Sequence, residues 1–160
     1  LTVASDTSSL TLGIGWTRFV CCAAPAYLAR HGTPRRPADL ALHECLSYTL
    51  MPLPNAWRFA SAQGEPYELR VATRHRANNG RMLAALAAAG TGVIIEPDFI
   101  VAPEVRSGAL VQLLPQYALP LSPISAVYPS RRHLSAKVRS FVDFLAARFA
   151  REQPWRLDAP

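Results

Sequence analysis

The sequence of 160 residues is poor in cysteine, in lysine and in long apolar runs. Its three cysteines, Cys21, Cys22 and Cys45, are an odd set, and two adjacent cysteines do not easily bond to each other. This pattern argues against a disulfide framework and favours a reducing compartment. The longest nearly apolar stretch, Met82 to Ile95, contains two glycines and is shorter than the roughly 20 residues of a transmembrane helix. We therefore expect no membrane partner.

Positive charge is the clearest compositional bias, with 17 Lys and Arg against 11 Asp and Glu and a net charge of +6. Lys137 is the single lysine, and the arginines are dispersed, adjacent to each other only at 35–36 and 131–132. Dispersed arginines are typical of a solvated surface, and a functional basic face is the alternative. Any binding of DNA by this chain alone should be weak, independent of base sequence and sensitive to salt.

Sequence motifs for catalysis are missing. The chain has no Walker loop, no Gly-x-Ser-x-Gly and no His-Glu-x-x-His, and its four histidines are far apart. His43-Glu44-Cys45 brings possible ligands together without the paired spacing of a zinc site. Cys21 and Cys22 lie in an apolar run, which favours inert core thiols over a nucleophile. We therefore expect no enzyme activity, no metal and no cofactor.

Short apolar runs alternate with helical patterns, which predicts an α/β fold. Residues 1–15 read as loop or weak strand. Predicted strands cover 17–24, 44–51, 93–95, 110–114 and 124–128, with an antiparallel hairpin of 57–59 and 67–75. Predicted helices cover 26–31, 37–42, 81–89 and 99–106, and a last helix starts after Ser135.

Polar side chains stand where predicted elements meet. Asn78 and Asn79 precede an alanine-rich helix, where they can cap the helix or bind a polar ligand. Glu96 and Asp98 flank Pro97 at the end of an apolar strand, a position where open α/β sheets place ligand groups. The alternative for these two carboxylates is charge stabilisation at the start of the next helix.

Several segments together resemble the effector-binding domain of LysR-type transcriptional regulators. They occur in the order of that family and cover about residues 8–148: Phe19–Leu46, Asn78–Gly80 with the alanine-rich helix, Gly90–Phe99, Ser107–Leu114 and Ala126–Leu145. The resemblance implies a periplasmic-binding-protein-like fold with two α/β subdomains, the second complete and the first partial. It also implies two crossing strands and a small-molecule effector held in the cleft between the subdomains.

Mapped onto this chain, the resemblance implies three parts. Residues 1–24 would be a remnant of the first subdomain with the first crossing strand, and residues 25–121 the second subdomain. Residues 122–160 would be the second crossing strand and a C-terminal helix that returns to the first subdomain. The hinge would lie at Thr17, Val20, Ser125 and Val127.

The resemblance and the polar strand ends predict one effector site. Its candidate residues are Asn78, Asn79, Ser47, Tyr48, Thr49, Glu96, Pro97 and Phe99. A free-standing periplasmic-type solute-binding protein is the alternative function, but the run from Tyr128 to Val138 favours the regulator. The first residues show no secretory signal, so we expect a cytoplasmic protein.

The last helix is predicted to mediate self-association. Its apolar side chains recur at helical spacing at Val138, Phe141, Val142 and Leu145, followed by Phe149. With part of the first subdomain missing, this face should be exposed and should form a homodimer or higher oligomer. The alternative is that the helix folds back onto the second subdomain. DNA binding is expected only through a winged helix-turn-helix that these 160 residues do not include.

Overall fold

The computed structural model describes residues 9–129, 135–153 and 156–157. The described residues form two compact units, which lie within Leu1–Thr17 with Leu121–Pro154, and within Arg18–Pro120 with Trp155–Pro160. The long strand β1 (Ser9–Ala23) contributes to both units. The assignment of residues 1–24, 25–121 and 122–160 to three parts stays a prediction.

The first unit contains the beginning of β1, strand β8 (Leu121–Pro129) and helix α4 (Ala136–Arg151). Strand β8 pairs with β1. The predicted cap is confirmed, because the Ser135 Oγ accepts a hydrogen bond from the Val138 amide at 3.4 Å. Gly15 and Phe149 pack closely, since a Cβ at Gly15 would lie 3.6 Å from the Cβ of Phe149.

The second unit is built around the end of β1. Strand β6 (Ile94–Pro97) pairs antiparallel with β1 on one side, and the short strand β7 (Val111–Gln112) pairs antiparallel with β1 on the other. Strands β2 (Leu46–Tyr48) and β5 (His75–Ala77) pair in parallel. An isolated parallel bridge joins Cys45 to Val93. Strands β3 (Ala56–Ala60) and β4 (Pro66–Arg70) form the predicted antiparallel hairpin.

Helices cover this framework at the places that the sequence predicts. Helix α1 (Pro25–His31) begins with a proline and is followed by Gly32 at φ 82°. A 3₁₀ helix spans Pro37–Leu42. Helix α2 (Gly80–Ala88) and helix α3 (Asp98–Arg106) pack against each other. Residues 156–157 join the same unit, because the Arg18 guanidinium donates to the Leu157 carbonyl oxygen.

Three predicted strand extents were wrong, the first because of non-local pairing. The second strand of the hairpin does not continue to His75: it ends at Arg70, and His75–Ala77 pairs with β2 instead. The strand predicted over 44–51 is reduced to Leu46–Tyr48, because turns and bends begin at Thr49 and continue to Asn55, with two prolines that lack an amide hydrogen. The strand predicted over 110–114 is reduced to Val111–Gln112, and Leu114 has a φ of 54°.

The start of the chain agrees with its prediction where it is described. Residues 1–15 were expected to be loop or weak strand, and strand β1 begins at Ser9. Residues 1–8 lie outside the described part of the chain, as do Arg131 and Arg132. Within the described residues, no helix is both long enough and apolar enough to span a bilayer.

Candidate functional site

Two parallel strands of the second unit end side by side. Tyr48 is in register with Ala77, and the Thr49 amide donates to the Ala77 carbonyl oxygen at 2.9 Å. Because β2 and β5 run in the same direction, Thr49 and Asn78 leave the sheet at the same edge. Helix α2 begins directly after Asn78 and Asn79. The fold therefore brings the predicted 47–49 and 78–79 segments together.

The Ser47 side chain holds the loop that follows β2. Ser47 is buried, and its Oγ donates to the Pro54 carbonyl oxygen at 2.8 Å. This bond fixes the turn that carries Leu50, Met51 and Leu53, three side chains that are exposed to solvent. Ser47 is thus engaged in positioning the edge of the sheet, whereas Tyr48 is partly buried and Thr49 is exposed.

Asn79 caps helix α2. Its Oδ1 accepts from the Arg81 amide at 3.0 Å and from the Met82 amide at 3.2 Å, while Asn78 is exposed. These two amides are among those that a helix start leaves available for an anion. The Asn79 side chain therefore occupies hydrogen-bonding groups that a bound carboxylate would otherwise use.

Glu96 is the most unusual polar residue of the unit. Glu96 is 4% exposed, and its Oε1 has no hydrogen-bond partner among the residues that the structure describes. Burial raises the pKa of this carboxyl from its usual 4.5 to about 7. The other oxygen, Oε2, packs against the start of helix α2, since a Cβ at Gly80 would lie 2.5 Å from it.

The residues after Glu96 lead into helix α3. Pro97 precedes the helix as its N-cap, and Asp98 is a buried carboxylate in the first turn, where the helix dipole favours negative charge. The Arg18 Nε lies 4.0 Å from the Asp98 Oδ2. Phe99 is 44% exposed. The two carboxylates that flank Pro97 therefore differ: Asp98 has a nearby cation, and Glu96 contacts the start of α2.

Gly80 and Glu104 contribute to this region, although neither was among the predicted site residues. Gly80 is the first residue of an otherwise alanine-rich helix, and its lack of a side chain makes room for the Glu96 carboxylate. A glycine at the first position of such a helix was the available signal. Glu104 lies on α3, with Oε1 3.8 Å from the Arg81 Nη2. No sequence pattern linked Glu104 to Glu96.

The predicted hinge residues fall at different places. Thr17 is the last residue of the first unit on β1, and Val20 is paired with Glu96 inside the second unit. Ser125 and Val127 lie within β8, with exposed side chains. The hinge assignment stays a prediction.

The predicted association residues also differ in exposure. On α4, Phe141 is 60% exposed and Val138 is exposed as well, whereas Val142 is buried and Leu145 is partly buried. Phe144, which was not among the predicted residues, is 59% exposed. Two of the four side chains are therefore available at the surface of their own unit.

The three cysteines are core residues. Cys21, Cys22 and Cys45 are buried and free. Burial is the main cause that raises the pKa of all three thiols, to about 12 for Cys45. A thiol with a raised pKa carries little thiolate at neutral pH and is a poor nucleophile. In the described part of the chain, no three His, Cys, Asp or Glu side chains form a group that could hold a metal ion.

Comparison with solved structures defines the class of protein. The chain matches the regulatory domain of CrgA, a LysR-type transcriptional regulator from Neisseria meningitidis, with a TM-score of 0.79 and 33% identity over 91% of this chain and 72% of that one. The full-length virulence activator AphB of Vibrio cholerae matches with a TM-score of 0.77 and 25% identity, over 91% of this chain and 49% of that one. The fold is that of a regulatory domain, periplasmic-binding-protein-like with two subdomains, as predicted.

The family follows from the sequence comparisons. The family model for the LysR substrate binding domain matches residues 12–150. The HTH-type transcriptional regulator CrgA of Neisseria meningitidis is 36% identical over 130 residues, which are 81% of this chain and 43% of that protein. The regulator PtxR of Pseudomonas aeruginosa is 36% identical over 92% of this chain and 51% of its own length. The chain belongs to the LysR substrate-binding-domain family, and it spans about half the length of these curated relatives.

Proposed function

We propose that this chain senses a small organic molecule at the edge formed by residues 47–49, 78–79 and 96–99. In the complete protein it would serve as the effector-binding domain of a LysR-type transcriptional regulator, with a binding rather than a catalytic role. A winged helix-turn-helix in the rest of that protein would bind DNA; the relatives are named HTH-type transcriptional regulators. The protein would act in the cytoplasm.

One observation carries the proposal: Glu96 is a buried carboxyl at this edge, and its Oε1 has no hydrogen-bond partner among the described residues. A buried polar group without a partner is costly, and such groups cluster at functional sites. Phe99 and Tyr48 would supply apolar contacts, Ser47 would position the loop after β2, and Asn79 would fix the start of α2. A few polar groups within a largely apolar surround are typical of small-molecule sites.

Exchange of exposed aromatics tests where the molecule binds. Compounds selected by a thermal-shift screen should bind at least tenfold more weakly to Phe99→Ala, because an apolar contact of the site is lost. Tyr67→Ala is the matched control, since Tyr67 is a similarly exposed aromatic on β4. Equal losses in both variants, or no loss in Phe99→Ala, would contradict the assignment.

The hinge residues would couple binding to the rest of the regulator. Thr17 and Val20 lie on β1, which contributes to both units, and Val20 is the cross-strand neighbour of Glu96. Ser125 and Val127 lie on β8, the partner strand of β1 in the first unit. Strand β1 would therefore connect Glu96 with the first unit.

Helix α4 would associate two copies of the chain. The exposed side chains of Val138 and Phe141, extended by Phe144, form an apolar face, and Val142 and Leu145 support it from the packed side of the helix. Burial of a large apolar side chain is worth about 1.5–3 kcal/mol, which favours a homodimer or higher oligomer. Sedimentation at micromolar concentration should show concentration-dependent association that Phe141→Asp weakens. A monomer at all concentrations would contradict this association.

A free-standing solute-binding protein is not favoured as the function, because the matched relatives are transcriptional regulators.

A further inference from the structure

We propose that the small molecule presents a protonated amine to the carboxylate of Glu96, an inference that rests on the proposed function of this edge.

The two oxygens of the buried Glu96 carboxyl differ in their surroundings. Glu96 lies on β6 opposite Val20, and the start of helix α2 covers Oε2 at Gly80. Oε1 lacks a hydrogen-bond partner within the described ranges. Once ionised, the carboxylate is a strong acceptor that offers no proton, so the group that satisfies Oε1 in that state must be a donor.

The surroundings are short of positive charge. The Nη2 of Arg81, on α2, lies 3.8 Å from the Oε1 of Glu104, on α3. The Nε of Arg18, on β1, lies 4.0 Å from the Oδ2 of Asp98, at the start of α3. Strand β1 contributes the Cys22 thiol, whose pKa is raised by burial and then by the charges of Glu96 and Glu104. Strand β2 contributes Tyr48 as its single titratable side chain. No ion pair with Glu96 forms in the described part of the chain.

An anionic ligand fits this region less well. Asn79 already occupies the amides of Arg81 and Met82 at the helix start. Glu104 contributes a second carboxylate to the region, and its Oε2 is buried without a hydrogen-bond partner among the described residues. Because like charges repel and are weakly screened when buried, a ligand carboxylate would be disfavoured. A ligand ammonium would instead provide the missing counter-ion.

Binding of the amine is coupled to the release of one proton from the Glu96 carboxyl. The ammonium keeps its protons and donates one N–H hydrogen bond to Oε1, so Glu96 must be ionised when the complex forms. Below pH 7 the carboxyl of the free protein is largely protonated and releases its proton to water on binding. Affinity should therefore be about tenfold higher at pH 8 than at pH 6.

Three probes with the same ring and different head groups test this inference: benzylamine, which is protonated from pH 6 to 8, benzyl alcohol and benzoate. Chemical-shift titrations of backbone amides would be run on the wild-type chain at both pH values. Glu96→Gln removes the charge at constant size. Glu68→Gln is the matched control, because it removes a carboxylate on β4, outside the site, whose Oε2 lies 2.7 Å from the Arg58 Nε.

We expect benzylamine to shift the amides of residues 79–81 and 96–99 and to bind at least tenfold more tightly than benzoate at pH 8. Glu96→Gln should weaken benzylamine at least tenfold and strengthen benzoate, and Glu68→Gln should change benzylamine binding less than twofold. If benzoate bound most tightly at this edge, or if benzylamine affinity did not depend on pH in the wild type, the inference that the ligand is an amine would be wrong. The proposal that this edge is the site would stand. Shifts confined to other segments for all three probes would overturn the edge as well.

Discussion

Glu96 makes the stability of the fold depend on pH in a direction that can be calculated. Its carboxyl has a pKa of about 7 in the folded chain, against a usual 4.5. As the pH rises between these values, the unfolded chain loses its proton first, while the folded chain keeps it. The contribution of Glu96 is therefore fully present below pH 4.5 and is lost as the pH passes 7. The shift corresponds to about 3 kcal/mol of unfolding free energy.

Glu96→Gln isolates this effect. Gln does not titrate, and its side chain is nearly the same size, so the variant keeps the packing against Gly80. Other titrating groups, such as buried His43 with its lowered pKa, are common to both proteins and cancel in the difference. The unfolding free energy of the wild type minus that of the variant should fall by about 3 kcal/mol from pH 4.5 to pH 8.

Urea unfolding followed by circular dichroism at five pH values across this range provides the measurement. A difference that stays constant to within about 0.5 kcal/mol would show that the Glu96 carboxyl ionises as easily in the folded chain as in water. The physical basis of the candidate site, a buried carboxyl without a partner, would then be wrong.

Four further substitutions test the framework of the second unit. Tyr27→Phe should cost about 1–3 kcal/mol in urea unfolding, because the buried hydroxyl that accepts from the Glu44 amide at 2.9 Å is lost. Asn79→Ala should lower the unfolding free energy by about 1 kcal/mol, because the helix cap is lost, whereas Asn78→Ala should lower it by less than about 0.5 kcal/mol. Equal losses in the two variants would contradict the capping geometry. Gly92→Ala should lower the unfolding free energy by about 1–3 kcal/mol, because a Cβ there would clash with the Glu44 carbonyl oxygen. An unchanged midpoint of urea unfolding would contradict that packing.

Local patterns were sufficient to predict the helices and the hairpin. Helix α2 is bounded by Asn79 and by Gly90 at φ 81°, both visible as cap residues in the sequence. The β3–β4 hairpin follows from alternating residues around a loop that contains Gly64 at φ 83°. In each of these elements the residues that decide the structure are neighbours along the chain.

The pairing of β2 with β5 could not be predicted in the same way. His75–Ala77 looks like a continuation of the preceding strand, and its true partner is about 30 residues earlier in the chain. The contact of Glu96 with Gly80 is non-local as well, and it depends on how α2 packs on β6. The sequence therefore indicated which segments carry polar groups, but their packing decided that Glu96 is buried and Asn78 is exposed.

Protection of backbone amides by a bound compound would locate the effector site. Hydrogen–deuterium exchange would be measured on the chain with and without the strongest compounds from a thermal-shift screen of amines, acids and neutral aromatics. The account predicts protection in peptides that cover 46–49, 77–83 and 96–100, and little change in the β3–β4 hairpin. Protection confined to the hairpin or to helix α4, with these three segments unchanged, would contradict the proposal that this edge is the effector site.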